Sequence, residues 1–176
     1  MASIIRGSDD FDTAATLRGI QLGTMVATTS GTSIDFTGIP AGVRRVTLSL
    51  IGVSTNASTV HLIQIGDSGG VETSGYLGGS RNSASQENYT QAFGTAGTSD
   101  STPAVAVQHG TMTLTLVNAS TFTWVSTWQG CRSNEAVTLD GAGSKSLSAV
   151  LDRIRLTTVS GSATFDAGSV NITWEF

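Results

Sequence analysis

The chain has 176 residues, 12% of them charged and 39% hydrophobic, with a formal net charge of −4. That length makes one domain the default and allows a core without disulfides or metal, and the composition is too apolar and too weakly charged for a disordered chain. With no block of Lys or Arg, it gives no footing for nucleic acid or anionic membrane.

The first nineteen residues lack periodicity and read as an irregular arm. Asp9, Asp10 and Asp12 sit where a secretory signal would need an apolar centre, so the start is not read as one. Residues 21–28 and 33–37 are strand candidates. Gly38 and Pro40 then force a corner, and the next strand starts at Val43. There Val46, Leu48 and Leu50 share one face. The alternation slips at Ile51 and Gly52 before Val53, which predicts a bulge. Residues 60–65 make another strand. Gly66-Asp67-Ser68-Gly69-Gly70 follows as a glycine-rich turn.

Residues 80–101 are polar, dotted with glycine, and carry isolated Tyr89 and Phe93. They read as a long surface excursion or as a segment hiding one strand. Residues 104–108 and 122–129 are further strand candidates, and between them Thr111-Met112-Thr113-Leu114-Thr115-Leu116 alternates without fault. Asp140-Gly141-Ala142-Gly143 reads as a turn, and 147–155 is the nearest approach to a helical period. Residues 154–159 and the alternating Val170, Ile172, Trp174 and Phe176 close the chain. Roughly nine short antiparallel strands follow from this spacing. The expected fold is an all-β antiparallel β-sandwich, jelly-roll-like, over residues 20–176, preceded by the arm at 1–19.

Gly66–Gly70 also spells the nucleophile motif of trypsin-like serine proteases. Such a serine needs a histidine base and an aspartate to orient it, both upstream on separate loops. His61 is the one histidine before Ser68 and lies seven positions away on the same expected strand. The turn reading needs less, and no catalytic residue is assigned.

Other motifs weigh no more. Asp9, Asp10 and Asp12 lack the glycine and distal glutamate of an EF-hand loop and read as a solvated arm. His61 and His109 are isolated histidines, and Cys131 is the single cysteine, which excludes an intramolecular disulfide and a thiolate metal site. Asn56, Asn88, Asn118 and Asn171 begin glycosylation triplets and read as turn and strand residues. Trp124, Trp128 and Trp174 invite a sugar-stacking surface, but Trp124 and Trp128 share parity with Phe122 and predict one buried aromatic face. No run approaches the ~20 apolar residues of a membrane span. No metal or cofactor is expected.

Three stretches carry a resemblance. They are Gly31-Thr32-Ser33-Ile34-Asp35-Phe36-Thr37-Gly38-Ile39-Pro40 with Val43-Arg44-Arg45-Val46-Thr47, then Gly143–Leu147 with Leu151–Thr158, then Thr164–Ile172. In this order they resemble a β-sandwich domain of tailed-bacteriophage virion proteins, found in head decoration proteins and in tail fibres. The resemblance covers about residues 20–176 and brings no catalytic residues. It implies a protein made in the host bacterial cytoplasm and built into the virion. The chain starts with a methionine and lacks a shaft, so the expected place is the head surface. There it would be a decoration or cement protein, a homotrimer bound to the major capsid protein. The alternative is a tail-fibre tip that contacts host polysaccharide through exposed Tyr76, Tyr89 or Phe93. The face of Asp152, Arg153 and Arg155 is expected to be solvated or to pair between subunits.

Overall fold

Alternation of apolar and hydroxylated residues gives several long strands of this chain one buried face of side chains. The computed structural model describes residues 19–98 and 102–176. Its strands are β1 (Gln21–Leu22), β2 (Val26–Ala27), β3 (Ile34–Thr37), β4 (Arg45–Thr55), β5 (His61–Asp67), β6 (Gly70–Val71) and β7 (Leu77–Arg81). They continue with β8 (Gln86–Tyr89), β9 (Phe93–Gly94), β10 (Gln108–Asn118), β11 (Thr123–Arg132), β12 (Val137–Ser146), β13 (Arg153–Thr158) and β14 (Phe165–Glu175). Neither an α- nor a 3₁₀-helix occurs among the described residues.

All strand pairs are antiparallel, and they form two sheets. The large sheet runs β1-β14-β4-β10-β11-β12-β7-β8, with β2 also on β14. The small sheet runs β3-β13-β5-β6, with β9 also on β5. They pack as an antiparallel β-sandwich. Leu48, Leu114 and Trp124 from the large sheet and Ile63, Ile154 and Leu156 from the small one belong to a single buried cluster. The chain changes sheets repeatedly, at β3 to β4, β4 to β5 and β13 to β14.

The predicted bulge is present. Around Ile51 to Val53, β4 loses register with both β10 and β14, and Gly52 takes a φ of 65°. The corner after β3 is also present, with Gly38 at φ 74° and β4 starting at Arg45. Residues 21–28 divide into β1 and β2.

Three expectations give way to tertiary structure, and of the two alternatives for residues 80–101 the one with hidden strand structure holds. Asp140–Gly143 is the middle of β12, paired with β7, and not a turn. Gly143 faces Gly78 across the pair, and a Cβ on Gly143 would come within 3.1 Å of Phe93 Cδ1. Glycine there makes room for an aromatic ring. Residues 80–101 hold the end of β7, the edge strand β8 and the short β9. Asn82 Oδ1 closes the β7–β8 hairpin by accepting the Ala84 and Ser85 amides at 2.8 Å. Residues 104–108 turn after Pro103, with Ala106 N–H donating to the Pro103 carbonyl at 2.9 Å, and Gln108 alone joins β10. Residues 147–155 form no helical turn. Their amide donors go elsewhere: Leu147 to the Phe122 carbonyl (3.1 Å) and Asp152 to the Gly66 carbonyl (3.0 Å).

The large indoles set the packing. Trp128 is 1% exposed and pairs with Met112 across the sheet. Its ring lies over the neighbouring Gly110–Gly130 pair. A Cβ on Gly110 would sit 2.8 Å from Trp128 Cη2, and one on Gly130 would collide with Cζ2. Trp124 is equally buried, so both belong to the core and not to a sugar platform. Trp128→Ala should destabilise the protein by about 3–5 kcal/mol through the cavity it leaves. Gly130→Val should cost about 1–3 kcal/mol by overpacking. Urea denaturation checks both, and a change below the error of the midpoint in either would refute the packing described.

Candidate functional site

The Ser68 motif is built as a hairpin. Gly66 lies so close to Gly70 that a Cβ would overlap the Gly70 carbonyl oxygen. Asp67 Oδ1 accepts the Gly69 amide at 2.7 Å, while its other oxygen accepts the Ser148 hydroxyl. These two bonds, the Ser148 one foremost, hold the Asp67 carboxyl below the usual carboxylate range. Asp67 is therefore engaged in the turn and in the 146–152 segment. Ser68 is exposed, and its carbonyl receives Arg153 at 3.3 Å.

His61 stands at the opposite end of β5. At about 3.3 Å per residue it is on the order of 20 Å from Ser68. It is 2% exposed and its Nδ1 lies 3.1 Å from Gln108 Oε1. The Thr95 hydroxyl donates to the same Gln108 oxygen at 3.1 Å, and Phe165 lies against the imidazole with ring centroids 5.7 Å apart. Nearby, buried Arg132 donates to Thr102 Oγ1 (2.8 Å) and Glu135 (2.9 Å). Burial is the main force lowering the His61 pKa to about 4, and the positive charge of Arg132 adds to it. The Gln108 bond and Asp166 oppose it. His61 is a neutral core residue tying β5, β9 and β10 together. Sequence reasoning did not single out Gln108 or Arg132, because a polar residue in a polar stretch gives no sign of burial.

The aromatic residues expected at an exposed tip are buried. Tyr76 is 0%, Tyr89 4% and Phe93 3% exposed. The Tyr76 hydroxyl accepts the Ile65 amide (2.8 Å) and donates to the Glu72 carbonyl (2.9 Å), and its ring meets Phe93 edge-on. Lys145, the single lysine, is buried over the Tyr76 ring and pairs with Glu72. Arg155 pairs with Asp35 at 2.7 Å and Arg153 with Asp152 at 2.7 Å, so these charges are matched within the chain. Asn118 caps its turn through the Ser120 amide, Asn56 accepts the Thr164 amide, and Asn88 and Asn171 lie in strands. His109 Nδ1 accepts the Gly52 amide at the bulge, opposite exposed Cys131. Asp9, Asp10 and Asp12 lie outside the described residues. Among the described residues no group of three His, Cys, Asp or Glu is arranged to hold a metal ion.

What the fold does assemble is an open groove of about 880 Å³ on the outer face of the large sheet. Register puts Thr173, Thr47, Thr113, Thr127, Ala142 and Gly79 in one row across β14, β4, β10, β11, β12 and β7. The side chains shrink along that row, from threonine to alanine to glycine. The adjacent row carries longer ones: Gln129, Asp140, Arg81 and Gln86. The step between the rows makes the groove, with Asn88 of the edge strand on its far side. The threonines are visible in the sequence as the outward half of an alternation. Their meeting with Ala142 and Gly79 is not, since it rests on cross-strand register.

Comparison with protein-family models, curated proteins and solved structures finds no match.

Two outcomes follow. A fluorophosphonate probe should leave Ser68 unlabelled under conditions that label trypsin, as followed by intact mass; stoichiometric labelling would contradict the hairpin reading. The His61 shift also sets a pH dependence. The unfolded chain takes up the proton near pH 6.5 and the folded chain only near 4, so stability is full above about pH 6.5 and is lost as pH falls toward 4. The loss attributable to this residue is about 3 kcal/mol. His61→Gln should flatten that part of the stability–pH curve in urea titrations, and an unchanged slope would refute the assignment.

Proposed function

We propose that the chain is a non-enzymatic structural protein of a tailed-phage virion: a decoration or cement protein that binds and stabilises the shell of major capsid protein. The observation that carries this reading is where the resembling stretches fall. Residues 31–47 make β3, its corner and the start of β4. Residues 143–158 make the end of β12 and β13, and residues 164–172 make most of β14. β3 pairs with β13 in one sheet, and β4 with β14 in the other. The resemblance therefore lies in framework shared by both sheets and not in loops around a cleft, as suits a building block whose value is its shape.

The burial of Tyr76, Tyr89 and Phe93 favours the shell over the tail tip, because it removes the aromatic contacts on which the tail reading relied. The distance between His61 and Ser68 supports a role without catalysis. Three copies per binding site follow the analogy with decoration proteins, since open sandwiches have strand edges that association can cover.

Cryo-EM of the intact particle tests the proposal directly. Density for this sandwich on the outer head surface, in contact with the major capsid protein, is the expected result, and density in the tail would transfer it to host recognition. Light scattering on the purified chain should give the mass of a trimer, and a monomer both free and on capsids would remove the trimeric part.

A further inference from the structure

The groove on the large sheet has a chemistry as well as a shape. It crosses β10, β11, β12, β7 and β8, four strand spacings of about 4.8 Å, and is therefore about 19 Å long. Its floor is made of the Thr113 and Thr127 side chains, then Ala142 and Gly79. Threonine hydroxyls both donate and accept, and their methyl groups with Ala142 offer small apolar patches between them. The walls carry planar amides on Gln129, Gln86 and Asn88. The two opposite charges in the wall, Arg81 and Asp140, are joined at 2.9 Å. The lining is thus rich in hydrogen-bonding groups and nearly balanced in charge.

These properties select among ligands. A phosphate or other anion would need a cation not already held by a carboxylate. An apolar ligand would find no aromatic wall, because the Trp128 indole lies beneath the sheet. A peptide strand could not extend the ladder over the floor, whose main-chain groups are already paired on both sides. A neutral chain of hydroxyl groups meets no such objection. Planar amides and the Arg81–Asp140 pair can reach adjacent hydroxyls of a sugar, and the shallow floor accommodates rings laid end to end. We propose that this groove binds a neutral oligosaccharide. Without an aromatic platform the single site is weak, and its effect comes from many copies displayed together. The inference goes beyond the shell reading and does not depend on it.

The test is a ¹H–¹⁵N NMR titration of the full chain with maltohexaose, mannohexaose and chitohexaose, and with hexagalacturonate as the anionic probe. Saturable millimolar shifts of the Thr127, Ala142, Gly79 and Asn88 amides with at least one neutral probe are expected. Ala142→Ile, which raises the exposed floor, should weaken that binding about tenfold or more while leaving the melting temperature unchanged. Should Ala142→Ile lower the melting temperature, Asn88→Ala on the exposed edge strand takes its place with the same expected loss. The proposal is overturned by unmoved groove amides with all three neutral probes, by shifts located elsewhere, by preference for hexagalacturonate, or by undiminished binding in the folded variant. It is equally overturned if the major capsid protein shifts these amides and no saccharide does.

Discussion

Large rings seated on glycine are the constraint from which the rest of this sandwich follows. Two sheets packed face to face leave about 10 Å for their side chains, and three of the large rings fit there because a neighbouring backbone has no side chain. Trp128 rests over Gly110 and Gly130, Tyr89 over Gly94, and Phe93 against Gly143. Each seat joins segments that are distant in sequence or lie in different strands. The rings exclude water from the centre, and the glycines keep the sheets in register beneath them. The same glycine-rich pairing of β7 with β12 has an outer side, where Gly79 and Ala142 leave the sheet surface low. Inner seats and outer groove are two faces of one local composition.

This explains which parts of the fold the sequence announced. β10 and β14 alternate regularly enough that their buried faces could be assigned, although Phe176, which continues the pattern in the sequence, lies past β14 and is 40% exposed; the bulge at Gly52 was visible as a slip in the alternation of β4. The antiparallel sandwich follows from those strands and the turns between them. β12 was hidden because Asp140-Gly141-Ala142-Gly143 has the local chemistry of a turn. A turn and a strand that needs missing side chains call for the same residues, and a tertiary partner, Phe93, decides between them. β8 was hidden because an edge strand has little apolar surface to display: three of its four residues are exposed.

The site was less legible than the fold for a related reason. Burial of Tyr76, Tyr89 and Phe93 depends on β7, β8 and β9 being strands, so an error in the local reading became an error about exposed aromatics. His61 looked like an ordinary histidine, and its neutrality depends on Gln108 and Phe165, 47 and more positions away. The outward threonines were evident, but the groove exists because residue 79 meets residue 142. Periodicity within a strand assigns faces, whereas register between strands assigns neighbours, and shape is a property of neighbours.

Charge completes the picture of the exterior. Arg45, Arg81, Arg132, Arg153, Arg155 and Lys145 each have a carboxylate partner within the chain. The Arg45, Arg81 and Arg155 pairs are too exposed to add much stability, yet each pair neutralises its own cation locally. What remains outside is hydroxyl, amide and backbone groups with scattered apolar side chains such as Leu22, Leu77 and Val105. Long-range attraction between such a surface and a partner is small, so recognition has to rest on shape and short hydrogen bonds made at contact. Salt screens the first kind of force and scarcely touches the second. A shell contact made by this surface would therefore persist at an ionic strength that releases charge-steered proteins. Release of the protein from capsids in molar sodium chloride, with the sandwich still folded, would show instead that charge holds it.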